Sequence, residues 1–201
     1  MYESIIKLAT GDPKLKFTVL NSPWPISQQQ REQEQAASSI FLVLVISISY
    51  GLMQASTIAF ILHEKERKLK HMQMIQGMSR AAYWTVNMTF DLLKCLLVSG
   101  LILLLIAAYD LDFPDSWALL MEYPFAIVPF TYATSFIFSK ESTAQNWTIF
   151  SHLVIGSICS STVFILRLIK STEEQADLIN NIMKVFPSYA LSSGMLYSSG
   201  K

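Results

Sequence analysis

From Ser38 to Leu62 the chain carries no charged residue, and this one stretch restricts the fold more than anything else in the sequence. As a helix it would be ~36 Å long, against ~30 Å for the hydrocarbon core of a bilayer. Inside lipid no water satisfies the backbone, so an uninterrupted apolar run of this length has to be helical. Further runs follow at roughly Tyr83 to Tyr109, Trp117 to Phe138 and Trp147 to Leu166. We therefore expect an all-α membrane protein: a polytopic bundle of about four transmembrane helices over residues 38–170. Composition agrees, since 52% of residues are hydrophobic and only 15% charged, where a soluble domain carries about a quarter. The formal net charge of zero and the lack of a basic-aromatic groove pattern give no case for nucleic acid.

The polar residues inside the runs are placed unevenly. Ser47, Tyr50, Gly51, Gln54 and Thr57 share one face of the first helix. In lipid such a face turns toward other helices, whether to pack or to line a substrate path. In the second run Asn87, Asp91 and Lys94 recur at i, i+4, i+7. Asp91 lies about 12 Å and Lys94 about 16 Å along that helix from Tyr83. Ionisable residues at such depth pair, snorkel or mark a functional path, and an i, i+3 pair between these two satisfies the first option. The third run holds Glu122 with Pro124 and Pro129, which should kink or break it. The fourth has His152 near its start and Gly156 and Ser160 in small-xxx-small register. Cys95 and Cys159 read as buried thiols without a partner or metal-type spacing.

Between the first two runs lies a compact charged segment, residues 63–80. Lys65, Arg67, Lys68, Lys70 and Arg80 outnumber Glu64 and Glu66. The link at 110–116 holds only acids, so the first segment should be cytoplasmic and the second external, with both chain ends extracytoplasmic. On this topology Asn87-Met88-Thr89 and Asn146-Trp147-Thr148 are hidden or cytoplasmic and carry no glycan. The basic segment is either a positive-inside loop touching phospholipid or a short helix on which a partner docks, ending near Gly77. Residues 1–37 read as the end of an extracytoplasmic domain, with a short strand at Lys14–Leu20 and a turn at Asn21–Pro25. Ser139 to Asn146 reads as a polar link. Residues 171–201 read as an external amphipathic helix opened by a capping box at Ser171, stopped by Pro187 and followed by a shallow re-entrant piece.

Several enzyme signatures fail. His63-Glu64 lacks the second histidine of a zinc-protease motif, because Arg67 occupies that place. No G-x-x-x-x-G-K-[ST] phosphate loop and no G-x-S-x-G elbow occurs. No catalytic, metal or cofactor residue is assigned.

Separated patches resemble the second-half transmembrane domain of the A subfamily of ATP-binding cassette transporters, the lipid-exporter branch with the ABC-2 type membrane fold. They are Asn21-x-Pro23-Trp24-Pro25; Glu64, Lys68, Lys70, Gln73 and Gly77, followed by Tyr83-Trp84, Asn87 and Asp91; Pro129 to Phe138 with Ser142-Thr143-Ala144; and Phe186-Pro187-x-Tyr189-x-Leu191-x-x-Gly194. They occur in family order across about residues 17–197.

The resemblance implies that Glu64, Lys68, Lys70, Gln73, Gly77, Tyr83 and Trp84 form the element coupling the bundle to a nucleotide-binding domain. ATP and Mg2+ would be held in that domain. It further implies a lipid substrate and a second transmembrane half, both domains belonging to one longer polypeptide of which this is a part. The family's first helix of this half, most of its ectodomain, its last helix and its ATPase domain have no counterpart in these residues. Two other classes stay open: a membrane scaffold without transport, and an ion-coupled carrier using Asp91, Lys94, Glu122 and His152. Transport that follows an ion gradient without ATP would single out the carrier.

Overall fold

The structure is a computed structural model describing residues 27–109, 111, 113, 116–169 and 172–199. The chain divides into two units, Met1–Glu32 and Gln33–Lys201. Of the first unit only the start of a helix is described, where the Ser27 hydroxyl accepts the Gln30 N–H at 3.2 Å. The expected strand at Lys14–Leu20, the Asn21–Pro25 turn, the acids Asp110, Asp112 and Asp115, and Ser171 lie outside the described residues.

Every regular element described is helical. In chain order they are α1 (Gln28–Glu66), α2 (Leu69–Ile75), α3 (Arg80–Ala108), α4 (Ser116–Ser135), α5 (Glu141–Ser151), a π-helical stretch (His152–Cys159), α6 (Ser160–Leu168), α7 (Glu173–Met183) and α8 (Pro187–Ser199). Three segments are long and apolar enough to cross a membrane: Gln33–Glu66, Arg80–Ala108 and Glu141–Arg167. The fourth expected span, α4, has the length, but Glu122, its prolines and its tyrosine and threonine side chains lower its apolarity. Its place in the packing explains that composition: Leu120, Tyr123, Ile127, Val128, Thr131 and Tyr132 are all buried. The outer spans show the reverse pattern. Phe90, Leu93, Leu97, Leu101 and Leu104 form a stripe along α3 that is each more than half exposed, an arrangement suited to lipid or neighbouring helices and costly in water.

Of the kink or break expected at the prolines of α4, there is no break: the helix continues through Pro124 and Pro129, with helices packed around it. The link before the last span is shorter than Ser139–Asn146, because helix begins at Glu141, whose acidic side chain suits a first turn. At the start of α7 the Thr172 hydroxyl donates to the Leu166 carbonyl at 2.7 Å; the capping box expected at Ser171 falls on a residue outside those described.

The tail packs deeply into the bundle. Pro187 opens α8, and Tyr189, Leu191, Ser192, Met195 and Leu196 of that helix are buried. Ser192 shares a hydrogen bond of 3.0 Å with Ser47, which is about 13 Å along α1 from Ser38. Gly156 makes this insertion possible. A Cβ placed there would lie 3.2 Å from Ser188 Cβ and 3.5 Å from the Ser188 carbonyl oxygen, so a larger residue would push the start of α8 away from the π-helical stretch. The small-residue register at Gly156 thus serves α8 rather than another full span. The main core joins α1, α3, α4 and α8 through Val43, Ile46, Cys95, Ile127 and Met195.

Candidate functional site

The charged segment is built as a break and a short platform. Glu64 and Glu66 extend α1, and the helix then stops because Lys68 takes a left-handed conformation, φ 56°. Only Leu69–Ile75 is helical beyond it. Gly77, at φ +100°, reverses the chain, and Ser79 caps α3 by accepting the Ala82 N–H at 3.1 Å. No α2 residue is buried. Leu69, Met72, Ile75 and Met78 are exposed apolar side chains next to the cations. The expected single coupling helix from Glu64 to Gly77 is therefore two pieces with a hinge at Lys68.

Lys70 ties the platform back to the bundle. Its ammonium lies 3.8 Å from the centre of the Trp84 ring and 4.8 Å from that of Tyr83. Burial lowers its pKa from the ordinary lysine value, Arg80 adds to the shift, and Glu64 opposes it. Trp84 in turn packs edge-on against Tyr132 of α4, with centroids 5.7 Å apart, and against Phe136 at 6.0 Å. Glu64 is 7% exposed and accepts the Tyr83 hydroxyl, so it fastens α1 to α3 rather than presenting its carboxylate outward. Lys68 is exposed, and the side-chain oxygen of Gln73 is buried without a partner.

The end of α1 also holds the start of α5. His63 Nδ1 and Glu141 Oε2 are 2.9 Å apart, Lys65 Nζ donates to the Phe138 carbonyl at 3.0 Å, and Glu66 Oε1 accepts the Glu141 N–H at 2.8 Å. Ile58, Leu62 and Ala144 close the contact with apolar packing. The end of α1, next to the α2 platform, thus holds both α3 through Glu64 and α5 through His63 and Glu66.

Further into the bundle, α1 and α3 are joined by antiparallel polar rungs. They are Glu64 with Tyr83, Thr57 with Asp91, Gln54 with Cys95 at 3.8 Å, and Tyr50 with Ser99 at 2.7 Å. Of the stripe expected on α1, Tyr50, Gln54 and Thr57 form this interface, while Ser47 meets α8 and Gly51 meets His152. Asp91 is the most connected rung. It accepts Tyr132 Oη at 2.6 Å, Lys94 Nζ at 2.8 Å and Thr57 Oγ1 at 3.3 Å, and Lys94 also donates to Thr57 at 3.1 Å. Three helices therefore meet at one buried carboxylate. Thr131 adds a neighbouring bond to Gln54 at 2.8 Å.

The other intramembrane polar candidates are not gathered there. Asn87 is half-buried, and Glu122 is exposed on α4. His152 is 4% exposed with Nδ1 unpartnered, packed against Gly51. Among the described residues no hydrogen bond or ion pair joins Glu122 or His152 to the Asp91–Lys94 pair. The geometry suits a lock between helices more than a relay of titrating groups. Sequence reasoning found the pair but not its third partner. Tyr132 stood out only as a motif position, since spacing within one helix says nothing of the register of another.

The family described as "ABC-2 family transporter protein" matches residues 2–198. Similar proteins include "ATP-binding cassette sub-family A member 2" of Rattus norvegicus, 26% identical over 170 residues, covering 79% of this chain and 7% of that protein. "Retinal-specific phospholipid-transporting ATPase ABCA4" of Homo sapiens is 27% identical over 193 residues, 90% of this chain and 8% of that protein. "Phospholipid-transporting ATPase ABCA7" of Homo sapiens is 27% identical over 192 residues, 90% of this chain and 9% of that protein. The chain thus spans less than a tenth of the length of these relatives.

Proposed function

The chain belongs to the ABC-2 family of transporter proteins, and from that premise we propose that it is a membrane domain through which ATP-driven movement reaches a lipid pathway. The α2 platform, on the cytoplasmic side, receives a nucleotide-binding domain. That domain supplies the ATP and Mg2+ chemistry, because the sequence has no phosphate loop of its own. Lipid as the substrate rests on the relatives whose names describe phospholipid transport.

The observation that carries the reading is the position of Lys70 over Trp84 and Tyr83. It joins an otherwise exposed platform to α3, and through Trp84 to α4. A push on α2 is then applied to packed helices rather than absorbed by a loose loop, which is how small shifts bias a bundle between two packings. The hinge at Lys68 and the turn at Gly77 let the platform tilt without unwinding α1 or α3. Partners on this reading are the lipid bilayer, a nucleotide-binding domain and a second transmembrane half.

The experiment is charge reversal at Lys68 and Lys70, or replacement of Gln73 to Met78, in the full-length protein reconstituted in vesicles. ATP-driven lipid transport should fall in both variants. Transport unchanged in both would remove the docking role.

A further inference from the structure

Where the last span ends, a cavity of about 350 Å³ opens between α6, α7 and α8. Arg167, Asn180, Lys184, Ser193, Gly194 and Tyr197 line it. Arg167 is the closing residue of the span Glu141–Arg167, so the cavity sits at a membrane boundary. Its walls carry two cations. The Arg167 guanidinium stacks on Tyr197, 4.6 Å from the ring centre, and donates through Nε to Asp177 at 2.6 Å and also through Nη2. One carboxylate therefore offsets one of the two cations. Lys184 is exposed and stands just past the end of α7, while Glu173 and Glu174 occupy that helix's first turn, about 15 Å away along the axis.

Neutral donors are present too. Tyr189 donates to Asn180 Oδ1 at 3.1 Å, which fixes the amide so that its nitrogen is the group left to donate. Leu178 and Ile182 of α7, and Val185 beyond its end, are exposed apolar side chains. A polar, net-cationic hollow beside the end of a membrane-spanning helix matches one chemistry: the phosphate of a lipid headgroup.

We propose that this cavity is a binding site for the phosphate headgroup of a membrane lipid, its phosphate held by Arg167, Lys184 and the Asn180 amide. The acyl chains extend into the surrounding bilayer. The assignment rests on the membrane-spanning reading of the chain but not on transport, and binding is measured without ATP.

The test places the full-length protein in phosphatidylcholine nanodiscs containing a photo-crosslinkable phosphatidylglycerol or a diacylglycerol with the same acyl probe. Crosslinks are mapped to residues 174–199. Phosphatidylglycerol should label that segment several-fold above diacylglycerol. Lys184→Gln should cut the difference about fivefold, the worth of one cation at a membrane surface. Asp177→Asn, which frees the guanidinium, should raise it. Equal labelling by both lipids, or no response to either substitution, overturns the site. If soluble glycerol phosphate at millimolar concentration abolishes the labelling, the cavity takes free phosphate and the lipid assignment fails. Labelling that behaves as expected in a protein without ATP-driven transport would retain the site and reject the transporter reading.

Discussion

The phenol of Tyr132 on α4 donates to the carboxylate of Asp91 on α3 at 2.6 Å. That bond draws into the α1–α3 interface a helix whose sequence gave it the weakest membrane signature. Asp91 then serves three partners at once, Tyr132, Lys94 and Thr57, so the carboxylate sets how three helices meet.

Removing that carboxylate should be costly. Asp91→Ala leaves Lys94 unpaired and two hydroxyls without their acceptor. We expect a loss of ~2–3 kcal/mol, at or below the low end for a buried pair, because the Lys94 side chain keeps 34% exposure. Tyr132→Phe removes one interhelical bond and should cost ~0.6–1.7 kcal/mol. Thermal unfolding in detergent reads both. Replacing Asp91 and Lys94 together by leucine should recover most of the stability. An unchanged midpoint for Asp91→Ala would mean that the lock has no weight.

The approach of α8 to the π-helical stretch gives a second test. Gly156→Val places side-chain atoms where Ser188 already stands and should destabilise by ~1–3 kcal/mol through overpacking. Gly100→Ala is the control, since nothing lies within 4 Å of the added Cβ; it should be neutral or stabilise by up to ~1 kcal/mol. Protease accessibility of the α7–α8 segment should rise in the first variant and not in the second. Equal behaviour would show that the close contact does not hold the tail.

The aromatic seat of Lys70 can be weighed directly. A double-mutant cycle with Lys70→Met and Trp84→Leu should give a coupling of ~0.5–1 kcal/mol in unfolding, more if the site excludes water. Additive effects would show that proximity carries no interaction.

How far the sequence alone led depends on whether the signal was local. The α1 stripe at Ser47, Tyr50, Gln54 and Thr57 was legible because helical period and lipid both force such a face inward. The Asp91–Lys94 pair was legible because i, i+3 is a property of one helix. Tyr132 and Glu141 were not, because each meets its partner across helices and pattern gives no interhelical register. Glu64 was read as part of a charged surface; its neighbours are charged, but burial against Tyr83 is decided by where α1 ends. The depth of α8 was missed because its serines look suited to water, whereas Ser192 spends its hydroxyl on Ser47. The π-helical stretch at His152–Cys159 leaves no mark in hydropathy at all.

Topology has its own check. With α2 cytoplasmic, Asn87 lies within α3 and Asn146 near the cytoplasmic start of α5, so neither sequon meets the glycosylation machinery. Expression in a eukaryotic host should give a mobility unaffected by glycosidase at both positions, scored with Asn→Gln variants. A glycan on Asn146 would invert the bundle and place α2 on the wrong face for any cytoplasmic ATPase.

The central claim is that α2 transmits movement through the Lys70–Trp84 contact, and one ratio tests it most directly: lipid moved per ATP hydrolysed by the full-length protein in vesicles. Trp84→Leu keeps apolar bulk and lies behind the platform rather than on its exposed face, so docking of a nucleotide-binding domain should survive. The account predicts that hydrolysis persists while lipid moved per ATP falls about fivefold or more, the size of a typical coupling free energy between sites. An unchanged ratio would contradict it.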